Sequence, residues 1–550
     1  MQHERRIVRF LSSPAAYPHP VGTIERRETH VSHVFLAGAF AYKLKKPVRF
    51  PFLDASTLAR RKRFCRLELS LNRRLAPAVY LGLVPIRETR RGLRLGGGAG
   101  KVIEWVVQMR RLPEARMLDR LVAGRRVGRR AMERLADRLI PFFSRAARGR
   151  TIDRYGAPRQ VERLVLGNLR ECRPFVGRLL SPADWRAIEA AYRQYLALHE
   201  PLLSSRRREG RIIDGHGDLR CENICMWSPS AQPRDDILSE AEGRVEGTEG
   251  VSIFDCVEFE PAFRCGDIVN DFSFLLMDLE FRGRRDLAQA LIARYRRRLS
   301  DPTFEQVLPF YQCHRSLVRA KVRALAWLQH PKTREGLRAR RLARRHFALA
   351  RRYARAFAPP RLIVVGGLIG TGKSMLAKQL TEALGMKWLR TDEIRLREFA
   401  HKFRSAKFIE TSGFAEGLYA PQISRQVYQR LIRRAEALVR QGRSVVCDGM
   451  FSKAAGREEL RRIARRHHAA FHFLECVAPR AVAVRRVARR YAGGRDLSEA
   501  RPAHYERLQA GFEPVRAWPA HAWTRLTTDR SPRQTCVAAL EALRRAWVPA

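Results

Sequence analysis

The chain has no run of about 18 apolar residues, the length a helix needs to cross a bilayer, and its start, MQHERRIVRFLSSP, lacks the apolar core of a signal peptide. Both absences point to a cytoplasmic protein. Its ten cysteines are scattered, with no Cys-x-x-Cys and no regular spacing, which argues against a zinc site and against a secreted disulfide framework. Cys221 and Cys225, four apart, read as packing residues. Acidic residues are scarce, 55 Asp and Glu against 107 Lys and Arg, for a formal net charge of +52. Such a balance attracts nucleic acid, a membrane surface or a phosphorylated substrate. No nucleic-acid motif accompanies the arginines, which occur in every segment, so solvated helix faces are the preferred reading and nucleic acid is a partner not favoured. The 45% hydrophobic content and 550 residues suffice for two or three cored domains.

What is there begins with His216-Gly217-Asp218-Leu219-Arg220-Cys221-Glu222-Asn223. An Asp followed five positions later by an Asn has the spacing of a phosphotransfer loop, in which the Asp takes the acceptor hydroxyl's proton and the Asn holds magnesium. Asp218 and Asn223 would fill those roles. Downstream, the apolar Val251, Ile253 and Phe254 lead into Asp255, a second carboxylate for the metal. Upstream, residues 31–50 alternate as a hairpin and a strand carrying Lys43, with Lys45 on the same face. Either lysine could reach ATP phosphates. Residues 56–75 carry a helix start and the apolar positions Leu58, Phe64, Leu67 and Leu71, with Glu68 as the lysine's partner. The strand VIEWVVQMRRLP ends near Met109, expected as the backbone hinge against adenine. His30 and His33 read as hairpin surface residues, and residues 114–200 as mainly helical.

These pieces resemble the aminoglycoside phosphotransferase family over roughly residues 20–330. The resemblance implies an α+β bilobal protein-kinase-like domain, with an N-lobe over 1–110 and a C-lobe over 111–330, using ATP and Mg2+. It departs from protein kinases in the hairpin from Glu28 to Tyr42, which lacks Gly-x-Gly-x-x-Gly and leaves Thr29 and Ser32 as phosphate contacts. Residues 228–250, rich in acidic, Gly and Pro residues, read as a loop. Asp267 is expected to cap a helix, and Asp271 to be structural.

Residues 337–357 form an arginine-rich helix with the stripe Leu342, Leu349, Tyr353 and Phe357, ended by Ala358-Pro359-Pro360. The break marks a linker over 331–360 and a domain over 361–550 expected to fold alone. After it, an apolar strand runs into Gly367-Leu368-Ile369-Gly370-Thr371-Gly372-Lys373-Ser374 and a helix, the context of a phosphate loop. Gly367, Gly370, Thr371 and Gly372 would close around phosphates, Lys373 would reach the terminal ones and Ser374 would hold magnesium. Ser444 to Asp448 is an apolar strand ending in a carboxylate, for magnesium or the acceptor. The order of features resembles small P-loop kinases related to gluconate, polynucleotide and zeta-toxin kinases, an α/β fold with a parallel sheet. That resemblance implies Asp392 facing the acceptor, Arg395 one turn along, and lid arginines at Arg486 and Arg490, with Arg485 and Arg489 beside them. The whole chain resembles a bacterial family that fuses these two domains. It implies phosphoryl transfer from ATP to a small-molecule hydroxyl; a different class of reading is a nucleic-acid-binding protein with 5′-kinase or nucleotide-sensing activity.

Overall fold

The computed structural model describes residues 2–50, 53–227, 250–399, 417–492, 501–516 and 518–547. The chain folds into two compact units, Met1–Val161 with Ser204–Ser316, and Glu162–Leu203 with Leu317–Ala550. Among the described residues no helix is long and apolar enough to cross a membrane.

The first unit opens on a six-stranded antiparallel sheet with spatial order Ile24–Glu28, Ser32–Ala37, Phe40–Lys45, Lys101–Arg110, Tyr80–Thr89 and Gly92–Leu95. Period-two alternation divides its side chains between two cores. Phe35, Tyr42, Leu44, Ile86 and Val106 pack with Ile7 and Leu11 of the helix Gln2–Leu11. Leu36, Ala41, Tyr80, Val107 and Met109 pack on the other face with Cys65 of the helix Leu58–Arg73.

That helix starts where expected, with Thr57 Oγ1 accepting from the Arg60 N–H. Its buried stripe is a correction: Arg61, Cys65, Glu68 and Asn72 face inward, whereas Leu58, Phe64, Leu67 and Leu71 are only half-buried. The helix covers ionic groups of the sheet and the following segments, so charge complementarity decides which face turns in. Arg61, for instance, meets Glu104 at 2.7 Å. His33 is a second correction. It is buried rather than on the surface, with Nε2 3.0 Å from Glu4 Oε1, because the N-terminal helix covers the hairpin there; His30 is exposed.

The rest of the unit is mainly helical. Asp267 caps the helix Ile268–Phe281, its side chain accepting from the Val269 N–H. Arg206, fully buried on the helix Glu200–Arg208, holds both oxygens of Asp267 and also pairs with Asp301 at 2.6 Å. The acidic insertion lies outside the described residues except for Gly250.

The second unit is built on a parallel five-stranded sheet with spatial order Lys387–Arg390, Val445–Asp448, Arg361–Gly366, Ala470–Val477 and Trp523–Thr527. Numbered along the chain that order is 2-3-1-4-5, and apolar runs such as Leu362 to Val365 are buried on both faces. Leu198, from the helix Pro182–Leu198, joins Ile363, Leu376, Leu380, Leu384, Leu526 and Leu543 in one core of this unit. Gln194 Oε1 accepts from Arg361 at 2.8 Å, and Arg544 donates to the Ala197 carbonyl at 2.7 Å. The arginine-rich helix Arg334–Phe357 packs Ala343, Phe347, Ala350, Ala354 and Phe357 inward, with Phe357 against Tyr192 and Tyr195. The segment 358–360 therefore joins two elements of one unit. The expectation that 361–550 stands alone meets a core completed by residues far earlier in the chain.

Candidate functional site

In the first unit, Lys43 on the strand Phe40–Lys45 donates to Asp255 Oδ1 at 2.7 Å and lies 2.7 Å from Glu68 Oε1. Lys45, two residues along the same face, takes the other oxygen of Glu68 at 2.5 Å and also bonds Glu258. Three segments distant in sequence thus converge around one buried carboxylate. Burial works to raise the Glu68 carboxyl, but the two ammonium groups outweigh it and hold it down at about 2. Burial pushes Glu258 up, and Lys43 is raised because Asp255 and Glu68 outweigh its desolvation. Lys43 has 13% and Asp255 46% of its side chain exposed, whereas Lys45 has 4%, so the Lys43 end of the ladder opens to solvent. Asp255 itself has φ +63°, a left-handed conformation unusual for a residue with a Cβ, of the kind that gathers at functional sites.

The loop from His216 to Asn223 is held from behind. Asp271, in the first turn of its helix, accepts from the His216 and Gly217 N–H groups at 2.7 and 2.8 Å. His216 is buried and pushed below the usual imidazole range by that burial. Its Nε2–H donates to the Phe254 carbonyl at 3.0 Å while Nδ1 accepts from the Asp218 N–H, an arrangement that fits the neutral ring. Gly217 has φ +82°, and a Cβ there would stand 2.9 Å from the Phe263 carbonyl, so glycine is demanded.

At the front, Asn223 donates to Asp218 Oδ2 at 2.8 Å, bringing together the two residues that their spacing singles out. Spacing does not single out Arg220. It grips Asp218 with two hydrogen bonds and also bonds Glu222, which in turn receives Arg282. A signal exists: in extended backbone, which Arg220 adopts at φ −133° and ψ 160°, residues two apart point the same way. Thr29 turns onto the Ser32 backbone, with Oγ1 3.1 Å from its carbonyl, and Ser32 is buried. Met109 is the penultimate residue of the strand Lys101–Arg110, which ends where expected, and it lies opposite Ala41 and Tyr80, buried in the core. Cys221 and Cys225 are buried packing residues, and burial pushes the Cys225 thiol up to about 12.

In the second unit the phosphate loop joins the strand Arg361–Gly366 to the helix Lys373–Leu384. Gly367, Gly370 and Gly372 all have positive φ, and a Cβ on Gly370 would stand 2.2 Å from the Ala483 carbonyl. Thr371 Oγ1 donates to the Leu368 carbonyl at 2.7 Å and Lys373 Nζ lies 3.3 Å from the same oxygen, closing the loop over an inward-facing backbone. Ser374 Oγ donates to Asp448 Oδ1 at 3.2 Å across the sheet. Burial raises Asp448 to about 6, against the pull of Lys373 and Ser374. Asp392, in the first turn of the helix Thr391–Phe399, adds its charge to that of Asp448, whereas Arg395 turns to the Leu418 carbonyl and the Tyr419 ring. On the helix Arg480–Ala492, Arg486 and Arg490 are half-buried and Arg485 and Arg489 exposed; Arg486 donates to the Thr528 carbonyl at 2.8 Å. Thr528, which no sequence signal marks, donates to the Thr371 carbonyl at 2.7 Å. The expected lid loop at 493–500 lies outside the described residues.

Residues 362–515 match the AAA domain family, which spans the phosphate loop and the Asp448 strand. Over 501 residues the chain is 34% identical to "Uncharacterized protein Rv2004c" of Mycobacterium tuberculosis and to "Uncharacterized protein Mb2027c" of Mycobacterium bovis, covering 90% of this chain and 92% of each relative. Among solved structures, a choline/ethanolamine kinase family protein from Mesorhizobium loti aligns at 15% identity over 64% of this chain and 100% of that chain, with a TM-score of 0.34. A gluconokinase from Sinorhizobium meliloti aligns at 17% identity over 34% of this chain and 93% of that chain, with a TM-score of 0.27.

Proposed function

The chain belongs to the family of these mycobacterial proteins, matched over nine tenths of its length, and we propose that its first unit is a cytoplasmic, bilobal kinase-like phosphotransferase that moves the γ-phosphate of ATP to a small-molecule hydroxyl. The observation that carries the reading is Lys43, bonded at 2.7 Å to both Glu68 and Asp255, on the same unit as the Asp218–Asn223 pair. Glu68 aims the ammonium, and the ammonium orients the ATP phosphates. Asp218 receives the proton of the acceptor hydroxyl as its oxygen bonds to phosphorus and ADP leaves.

Asp255 and Asn223 offer oxygen donors, a set that suits a hard cation completing its shell with phosphate and water. Among the described residues no cluster of three His, Cys, Asp or Glu side chains could hold a metal ion. Mg2+ bound there would neutralise charge building on the transferring phosphate.

The second unit is read as a second ATP site. Lys373 reaches the terminal phosphates, Ser374 and Asp448 are the oxygen donors for Mg2+, Asp392 faces the acceptor, and Arg486 and Arg490 attend the transferring phosphate. The arrangement that supports this is the Ser374–Asp448 hydrogen bond of 3.2 Å behind the phosphate loop.

Calorimetric titration with a non-hydrolysable ATP analogue and Mg2+ counts the sites. Two equivalents are expected in the wild type and one in Lys373→Ala. A wild type that binds one and a Lys373→Ala that binds none would remove the nucleotide reading of the first unit. ATP consumption screened against pools of sugars, nucleosides and amino alcohols then finds the acceptor, with Asp218→Asn as the inactive control.

A further inference from the structure

A residue with a Cβ persists in the left-handed region only where its surroundings hold it there, so Asp255 at φ +63° needs partners that fix its backbone. Its own N–H donates to Tyr80 Oη at 3.3 Å, and the next N–H, of Cys256, donates to Asn72 Oδ1 at 2.9 Å. Tyr80, Asn72 and Cys256 are all buried. The peptide groups on the two sides of the Asp255 Cα are thus each tied to a side chain from another part of the unit.

Neither acceptor is free to follow Asp255 if it moves. Asn72 Nδ2 donates to the Glu68 carbonyl at 2.8 Å, so the amide is engaged at both ends and its orientation is fixed. Asn72 stands one turn beyond Glu68, which meets Lys43, on the helix Leu58–Arg73. Arg74, which ends that helix, donates to the Asp214 and Gly215 carbonyls at 2.8 and 2.7 Å, on the segment that enters His216-Gly217-Asp218. Arg73 donates to the Tyr80 carbonyl at 2.9 Å, and Tyr80 itself pairs with Met109 in the sheet. A helix anchored to the lysine strand and to the catalytic loop, and a strand anchored to that helix, therefore supply the two acceptors.

We propose that Tyr80 and Asn72 are positioning residues for the metal of the first ATP site, holding both peptide groups of Asp255 so that its carboxylate is aimed where it meets Mg2+. This rests on the phosphotransferase reading of the first unit, in which Asp255 is a metal ligand. The carboxylate so aimed has 46% of its side chain exposed, whereas the groups that aim it are buried. Its bond to Lys43 competes with phosphate once ATP arrives, but the backbone bonds to Tyr80 and Asn72 do not involve Lys43 and remain. Partners of this kind set a metal ligand's geometry without touching the metal. Core packing alone does not account for the pair. A Phe at 80 or a Leu at 72 would fill similar space, and what Tyr80 Oη and Asn72 Oδ1 add is the hold on Asp255.

The test uses the full chain carrying Lys373→Ala, which leaves the first site as the one expected to bind nucleotide. A non-hydrolysable ATP analogue is titrated calorimetrically at increasing Mg2+ and in EDTA. Tyr80→Phe, which removes one oxygen and keeps the ring, and Asn72→Leu are each expected to raise the Mg2+ concentration for half-maximal binding about tenfold, the low end for an outer partner of a metal ligand. Affinity in EDTA is expected to change less than about twofold, because the metal-free contacts are untouched. Asp255→Ala is expected to raise the Mg2+ requirement at least as far. Adding Tyr80→Phe or Asn72→Leu to Asp255→Ala is expected to shift it less than about twofold further, since the effect runs through Asp255. Thermal unfolding confirms that each variant folds. Losses that persist undiminished beside Asp255→Ala, or that appear equally in EDTA, would mark a merely structural role and overturn the proposal. So would wild-type Mg2+ dependence in both Tyr80→Phe and Asn72→Leu while Asp255→Ala shifts it. Unchanged Mg2+ dependence in Asp255→Ala itself would instead overturn the reading of Asp255 as a metal ligand, and the positioning role with it.

Discussion

Arg220 holds both carboxylate oxygens of Asp218, Nε to Oδ1 at 2.7 Å and Nη2 to Oδ2 at 2.8 Å. The proposed base is therefore oriented by a cation two residues away, which is itself fixed by Glu222. Arg220 is raised above its ordinary range because Asp218 and Glu222 outweigh the desolvation. Arg220→Ala is expected to cut turnover at least tenfold and to lower stability by about 3 kcal/mol, the low end for breaking a buried pair. Asp218→Asn should abolish turnover while nucleotide affinity stays within about threefold. Single-turnover rates, calorimetry and urea unfolding separate the two; an Arg220→Ala enzyme with wild-type turnover would remove Arg220 from the site.

The two lysines that share Glu68 should divide their effects. Lys43→Met removes the more exposed cation and is expected to weaken ATP binding tenfold or more with a small change in stability. Lys45→Met leaves Glu258 and half of Glu68 buried without a countercharge, and is expected to cost about 3–5 kcal/mol. Thermal unfolding and ATP titration of both variants check the assignment, and the opposite ranking would exchange the roles.

A chain beginning at Ala358 lacks Leu198 and Gln194, which complete the core beside the phosphate loop and hold Arg361. It is expected to unfold at lower temperature than the second unit in the full chain and to expose apolar surface. Adding a peptide of residues 180–203 in trans should raise its melting temperature. A stable Ala358 chain indifferent to the peptide would show that the helix Pro182–Leu198 contributes nothing.

His472 is buried, with Nδ1 2.9 Å from the His521 carbonyl and Nε2 3.0 Å from Thr524 Oγ1. Burial pushes it down to about 4 from 6.5. Between those values the unfolded chain binds the extra proton and the folded chain does not, so stability is present above pH 6.5 and is lost as pH falls toward 4. The loss is about 3 kcal/mol at 1.36 kcal/mol per unit. His199, also lowered to about 4 by burial, adds to it in the same unit and the same direction. His472→Gln should flatten the acid limb of urea midpoints measured from pH 7 to 5, and an unchanged limb would exclude His472 as a source.

What is legible in the sequence follows from local rules. The phosphate loop can be read because its glycines, lysine and flanking strand and helix lie side by side, and the Asp218–Asn223 spacing because five residues of one loop carry it. Lys43 and Lys45 cannot be ranked from alternation alone, since both point to one face; Glu258, more than two hundred residues away, distinguishes them. The inward stripe of Leu58–Arg73 defeats the apolar pattern because its neighbours are charged. Membership of Pro182–Leu198 in the second unit leaves no local trace, since an apolar helix face does not name its partner.

That membership has a consequence for synthesis. The helix Pro182–Leu198 leaves the ribosome about 160 residues before the strand Arg361–Gly366, and at 5–20 residues per second the delay is roughly 10 to 30 s. Helices form in about a microsecond, so Leu198 and its neighbours stand ready long before Leu376, Leu380 and Leu384 exist to cover them. Nascent chains paused before residue 361 should therefore recruit holding chaperones, and those released with the second sheet complete should not.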